Sequence, residues 1–157
     1  MELGLAIIGR AASIGIGLIL LLSGAEKLRH RALLPGVIAN YRLLPSTLVT
    51  PAALILPVAE LLIGGALMAW LAPLPVVLAI LLLLLFAAAM ATNIARGRSH
   101  IDCGCGRSQL RHRIGWPLVG RNVILALLLA TGLLFFLLAR RRRRDDESTG
   151  EGAAAQA

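Results

Sequence analysis

Four long apolar runs constrain this 157-residue chain more than any other feature in it. They cover about residues 5–25, 48–71, 74–95 and 115–139. At about 1.5 Å per residue, a helix of roughly twenty residues crosses a hydrocarbon core of about 30 Å. Backbone N–H and C=O groups find no water there, so an apolar run of this length must satisfy them internally, as a helix does. The sequence therefore predicts an all-α integral membrane protein, a four-helix bundle. Composition agrees: 58% of the residues are hydrophobic and 15% are charged, where a soluble domain carries about a quarter charged.

The connections between the runs differ in kind. Spans two and three are joined through Ala72-Pro73-Leu74-Pro75, a tight turn that imposes an antiparallel hairpin. Residues 26–47 mix Lys27, Arg29, Arg31 and Arg42 with Leu33, Leu34, Val37, Ile38, Leu43 and Leu44. That mixture predicts a short helix lying at the membrane interface, broken by Pro35-Gly36 and closed by Pro45. Residues 96–114 form a polar connection rich in Gly and Arg, and it holds both cysteines of the chain. The expected organisation is one membrane domain over 1–139, followed over 140–157 by a basic anchor and a disordered tail. Arg10 precedes an apolar run as in a signal peptide, but no small-x-small site follows before the next charges, so the run reads as a retained span.

The formal net charge is +8, and five of the sixteen basic residues form the run Arg140–Arg144. Directly after an apolar span, such a run is a juxtamembrane anchor that meets anionic lipid headgroups. With 4% aromatic residues and no recognition motif, the charge does not point to nucleic acid. Gly9, Ser13 and Gly17 recur every four residues on one face of span one, and Gly64-Gly65 marks span two. Small faces of this kind let helices approach closely, within a bundle or between two copies.

Glu60 sits near the middle of span two, three residues after Pro57, which frees a backbone carbonyl and marks a polar, bent turn. A charge at that depth costs about 2.5–3.5 kcal/mol on insertion scales, so it needs a partner, a proton or a cavity. Arg121 and Asn122, in the second turn of span four, are candidate partners, and Glu26 and Lys27 leave span one on the same side. A buried Glu60–Arg121 pair would set helix register. Alternatively the two flank a pocket for a redox-active headgroup, or form a proton path beside the cysteines, or face water. Arg10 lies at the opposite interface, where its long stem lets it snorkel.

The two cysteines stand as Cys103-Gly104-Cys105. A disulfide across one intervening residue closes a very small ring, and strained exposed disulfides are oxidising and labile. Such a pair reads as chemistry rather than as a staple. Arg96, Arg98, His100, Arg107, Arg111, His112 and Arg113 crowd the loop, and positive charge favours the attacking thiolate. Asp102 opposes that effect and is placed to handle a proton. Dithiol–disulfide exchange competes here with two other readings. One is a metal site of Cys103, Cys105 and His100 or His112, although the spacing matches no common zinc pattern. The other is a pair of thiols without chemistry.

Four stretches in order resemble the MauE family of methylamine-utilisation membrane proteins, related to the DoxX-like four-helix membrane proteins. They are Ser23-Gly24-Ala25-Glu26-Lys27-Leu28, Tyr41-Arg42-Leu43-Leu44-Pro45, Pro57-Val58-Ala59-Glu60-Leu61-Leu62, and Asp102-Cys103-Gly104-Cys105-Gly106 followed by Trp116 and Arg121-Asn122. The resemblance covers roughly residues 5 to 135. The family reads Phe-Gly after the second cysteine, whereas this chain has Gly106-Arg107. The resemblance implies support of disulfide formation or transport of the small subunit of a periplasmic amine dehydrogenase, with a thioredoxin-like partner. It is also similar in architecture to membrane enzymes that pass electrons from thiols to quinone, which implies a membrane quinone as a possible cofactor. Those enzymes use two cysteine pairs and this chain has one. The competing classes are a non-enzymatic membrane assembly factor or scaffold, and a metal or small-solute carrier.

The two termini share a side with the turn at Pro73–Pro75, and loops 26–47 and 96–114 share the other. Nine Lys and Arg lie in those two loops, which by charge alone favours a cytoplasmic Cys loop. Disulfide chemistry belongs outside the cytoplasm, and the Arg140–Arg144 run is the densest cluster beside a span end. The sequence reading places the termini in the cytoplasm and the Cys loop outside the cell or inner membrane.

Overall fold

The computed structural model describes residues 2–69, 73–98 and 114–154. Every regular element among them is helical: α1 (Glu2–Arg29), α2 (Leu34–Tyr41), α3 (Ser46–Met68), α4 (Leu74–Ala95) and α5 (Trp116–Ala154). Four are long and apolar enough to cross a membrane, over Gly9–Arg29, Ser46–Met68, Leu74–Ala95 and Trp116–Arg142. The chain is a multi-pass membrane helical bundle, as its apolar runs predict.

The four long helices close a ring in which α1 touches α3 and α5, and α4 touches α5 and α3. The interior is a cluster of Ile16, Leu20, Leu67, Val76, Ala79, Leu82, Leu83, Ala126 and Leu129. Large apolar side chains such as Leu54, Leu62, Leu81, Ile124 and Leu127 stay exposed. In water that surface would be unstable; in hydrocarbon it is the solvated face. With lipid as apolar as the core, close backbone approach supplies the packing.

Glycines provide that approach. A Cβ on Gly17 would meet the Gly64 carbonyl oxygen at 2.8 Å, and one on Gly64 would meet the Gly17 oxygen at 2.7 Å. One on Gly24 would meet the Pro57 oxygen at 2.9 Å. Gly9 faces Gly132 of α5, with a Cβ reaching its Cα at 3.9 Å. The small face of span one is therefore used inside the bundle, against two different helices. Gly65 has open space at its Cβ, so only one half of the Gly64-Gly65 pair lies at the seam.

Three boundaries differ from the sequence reading. First, α1 continues to Arg29, one turn beyond Ala25, carrying Glu26 and Lys27 on the helix rather than in a loop. Second, Pro35 does not break the interfacial helix: α2 begins at Leu34 with Pro35 in its first turn, where the missing N–H would be unpaired in any case. It is capped by Arg42, whose φ of 48° and N–H donating to the Ala39 carbonyl turn the chain toward Pro45. Third, α5 runs on through the basic run to Ala154, where composition alone predicts a disordered tail from residue 145. No proline interrupts residues 140–154, and the helix runs on from the span through the five arginines, past the poor helix formers Gly150 and Gly152.

The end of α4 is closed by a glycine. Gly97 adopts φ 72°, and its N–H donates to the Ile94 carbonyl at 2.9 Å. The next N–H, of Arg98, donates to the Asn93 carbonyl at 2.9 Å. This paired closure satisfies the last carbonyls and ends the helix sharply. It sends the chain into residues 99–113 at the same end of the bundle where α1 finishes and α5 begins.

Candidate functional site

α3 crosses α1 so closely at Gly24 and Pro57 that Lys27, one turn further on, reaches the carboxylate of Glu60. The Lys27 ammonium donates to Glu60 Oε1, and the two side chains are 3% and 0% exposed. Lys27 Nζ also donates to Ser23 Oγ at 2.9 Å, one turn back on α1. On a third side it stands 4.9 Å from the centre of the Phe86 ring of α4, within the range of a cation–π contact. One ammonium thus ties α1 to α3 and α4. In a low-dielectric interior the pair attracts strongly, and losing either partner would strand the other.

Two buried oxygens have no hydrogen-bond partner among the described residues, Glu60 Oε2 and Asn93 Oδ1. Asn93 is fully buried in the last two turns of α4, and its amide donates back to the Ala89 carbonyl at 3.1 Å. Asn122 of α5 is also buried. Nearby, Met90 and Ile114 form a second apolar cluster with Tyr41, Phe86, Ile94, Leu118 and Val119 around it. Phe86 belongs to both apolar clusters and separates the main core from this one. Tyr41 brings the end of α2 onto the same cluster, so the interfacial helix sits against the bundle end that carries the 99–113 connection.

The sequence-predicted residues thus fall into three groups. Glu60, Lys27 and Asn122 are buried in the bundle. Glu26 sits beside Lys27 in sequence but turns to His30, with Oε1 3.2 Å from Nε2. Arg121 is exposed, and the partner of Glu60 is Lys27 instead. The expected Glu60–Arg121 pair is not formed, because α5 packs its Asn122 face inward and turns the adjacent position out. Asp102, Cys103 and Cys105, with His100 and His112, lie outside the described residues. Among the described residues, no three His, Cys, Asp or Glu side chains cluster as a metal site.

Sequence reasoning missed Ser23, Phe86 and Asn93 as neighbours of the site. Ser23 had a signal, because it lies one helical turn before Lys27 and so on the same face. Asn93 had one too, as an amide near the end of a span that is otherwise almost wholly apolar. Phe86 had none, since an aromatic residue in an apolar span is ordinary.

Four apolar helices of spanning length, packed around a buried ion pair, define a small multi-pass membrane protein. The chain belongs to the family of methylamine utilisation protein MauE, whose profile matches residues 5–135, from α1 into α5. A methylamine utilization protein MauE of Paracoccus denitrificans is 43% identical over 127 residues, covering 78% of this chain and 68% of the relative. That of Methylorubrum extorquens is 49% identical over 113 residues, 70% of this chain and 61% of the relative. That of Methylophilus methylotrophus is 43% identical over 120 residues, 73% and 62%. The matches thus span 61–68% of the length of these relatives. No solved structure matches the chain.

Proposed function

We propose that this chain is a membrane thiol-redox protein that supports disulfide formation and maturation of an extracytoplasmic partner, such as an amine dehydrogenase subunit, through Cys103 and Cys105. The observation that carries this reading is convergence. Lys27 near the end of α1, Tyr41 at the end of α2 and Asn122 in the second turn of α5, all in stretches that resemble the family, lie toward one end of the bundle, and Lys27 reaches Glu60 from there. Both ends of the segment holding the cysteine pair, at Arg98 and Ile114, leave from that same end.

The chemistry is a thiol–disulfide exchange. A thiolate of the partner attacks the Cys103–Cys105 disulfide and forms a mixed disulfide. The partner's second thiolate then displaces the bound cysteine. The partner leaves oxidised, and Cys103 and Cys105 keep the two electrons as a dithiol, taking two protons. A second exchange with a disulfide-bearing thioredoxin-like protein restores the pair. A membrane quinone fits the described residues less well. The unpartnered buried atoms, Glu60 Oε2 and Asn93 Oδ1, are acceptors; they suit the hydroxyls of a quinol, whereas quinone carbonyls require donors. The Lys27 ammonium is already engaged by Glu60 and Ser23. The same reading places the protein in the cell or inner membrane, with cytoplasmic termini and the cysteine loop outside.

The test replaces Cys103 and Cys105 by Ser, singly and together, in cells that depend on the protein for maturation of its substrate. Loss of maturation with normal membrane levels, and a mixed disulfide accumulating in one single variant, is the expected result. Full maturation in the double variant overturns the redox role. It would favour an assembly factor whose working part is the buried pair, in which changes at Glu60 alone reduce assembly.

A further inference from the structure

At the C-terminal end of its span, away from the end where α4 finishes, α5 carries an exposed groove of its own. A groove of about 370 Å³ is lined by Leu134, Leu137, Leu138, Arg140, Arg141 and Arg144. The three leucines belong to the spanning part of the helix and remain 56%, 40% and 47% exposed. The arginines begin where the apolar run stops. Leu134, Leu137, Leu138, Arg141 and Arg144 follow the three- and four-residue spacing that places side chains on one helix face. Because the helix does not end at the membrane boundary, that face stays continuous from apolar to cationic.

We propose that this groove binds one anionic phospholipid, with its phosphate held by Arg140, Arg141 and Arg144 and an acyl chain laid along Leu134, Leu137 and Leu138. The charge of the groove selects the lipid. Its polar wall is guanidinium, which pairs with phosphate in a fixed, forked geometry. Its apolar wall lies on the bilayer side, where the acyl chain of a lipid whose phosphate sits at the interface must run. A soluble anion would use the arginines and leave the leucines uncovered. A neutral lipid would cover the leucines and leave three cations without a counter-charge. An anionic lipid meets both walls at once.

This differs from general attraction between a basic tail and a charged membrane, because it assigns the work to particular arginines. Arg142 belongs to the same run and carries the same charge, yet it is not among the residues lining the groove. A diffuse electrostatic anchor responds to the loss of any one arginine alike. A built site responds to those that line it.

The experiment uses the purified full-length protein in a neutral detergent. It is titrated with phosphatidylglycerol, with phosphatidylcholine, and with soluble glycerol phosphate, reading retained lipid by mass spectrometry and the thermal melting midpoint. Phosphatidylglycerol is expected to bind one per chain and raise the midpoint, while the other two leave it unchanged. Arg141→Gln and Arg144→Gln should each weaken phosphatidylglycerol binding by about tenfold or more, through loss of a charge-assisted hydrogen bond to the phosphate. Arg142→Gln should change it by less than about twofold, a discrimination that the additive surface term does not supply. Leu137→Asn should weaken binding of phosphatidylglycerol and leave glycerol phosphate without effect on the midpoint. Equal losses at Arg141 and Arg142, equal binding of phosphatidylcholine, or an equal midpoint shift with glycerol phosphate overturns the proposal.

Discussion

Lys27, two residues before the end of α1, neutralises Glu60 in the middle of α3, and neither side chain reaches the surface. The pair joins two segments that are 33 residues apart in the chain, and Ser23 and Phe86 hold the ammonium on two further sides.

That arrangement separates single from double substitutions. Lys27→Met leaves a carboxylate alone inside the bundle, and Glu60→Leu leaves an ammonium alone. Each should lower stability by about 3–5 kcal/mol, because an uncompensated charge remains buried. The double variant Lys27→Met with Glu60→Leu removes both charges and should recover most of that loss. Unfolding in mixed micelles, followed by helical circular dichroism, measures all three. A double variant as unstable as the worse single one would mean the pair contributes through something other than mutual neutralisation.

The glycine seam makes a second, steric prediction. Gly17→Ala and Gly64→Ala each place a methyl group under 3 Å from a backbone oxygen that cannot swing away. Each should cost about 1–3 kcal/mol, the usual range for overpacking a tight contact. Gly65→Ala meets nothing within 4 Å, and should be neutral or gain up to ~1 kcal/mol from helix propensity. The same unfolding measurement compares the three. A Gly65→Ala loss equal to that of Gly64→Ala would contradict the seam.

Topology is testable with the native cysteines alone. After mild reduction, a membrane-impermeant maleimide added to intact spheroplasts is expected to label Cys103 and Cys105. Labelling only after lysis would place the loop in the cytoplasm and remove the compartment argument for disulfide chemistry.

Much of the architecture could be read directly from the residues. Each span declares itself through its own twenty or so side chains, because the bilayer imposes its requirement on every segment separately. The hairpin at Pro73 and the interfacial helix after span one were legible for similarly local reasons. Local reading went wrong where a local signal had two meanings. Pro35 reads locally as a breaker, though in a first turn proline starts a helix. The residues after Arg144 look like a tail by composition, yet they continue a helix that is already nucleated.

The partner of Glu60 was a different kind of question. From the sequence, a carboxylate in mid-span demands compensation, and Lys27 and Arg121 both enter from the correct side. Choosing between them depends on how the helices cross and which way each face turns, and neither quantity is local. Gly17, Gly24 and Gly64 bring α1 against α3 at backbone distance, which carries Lys27 to the carboxylate. The rotation of α5 buries Asn122 and leaves Arg121 outside. That a charge must be matched inside the membrane is written into span two alone. Only the tertiary packing decided which residue matches it, because that choice follows from the shape of an interface formed by residues far apart in the chain.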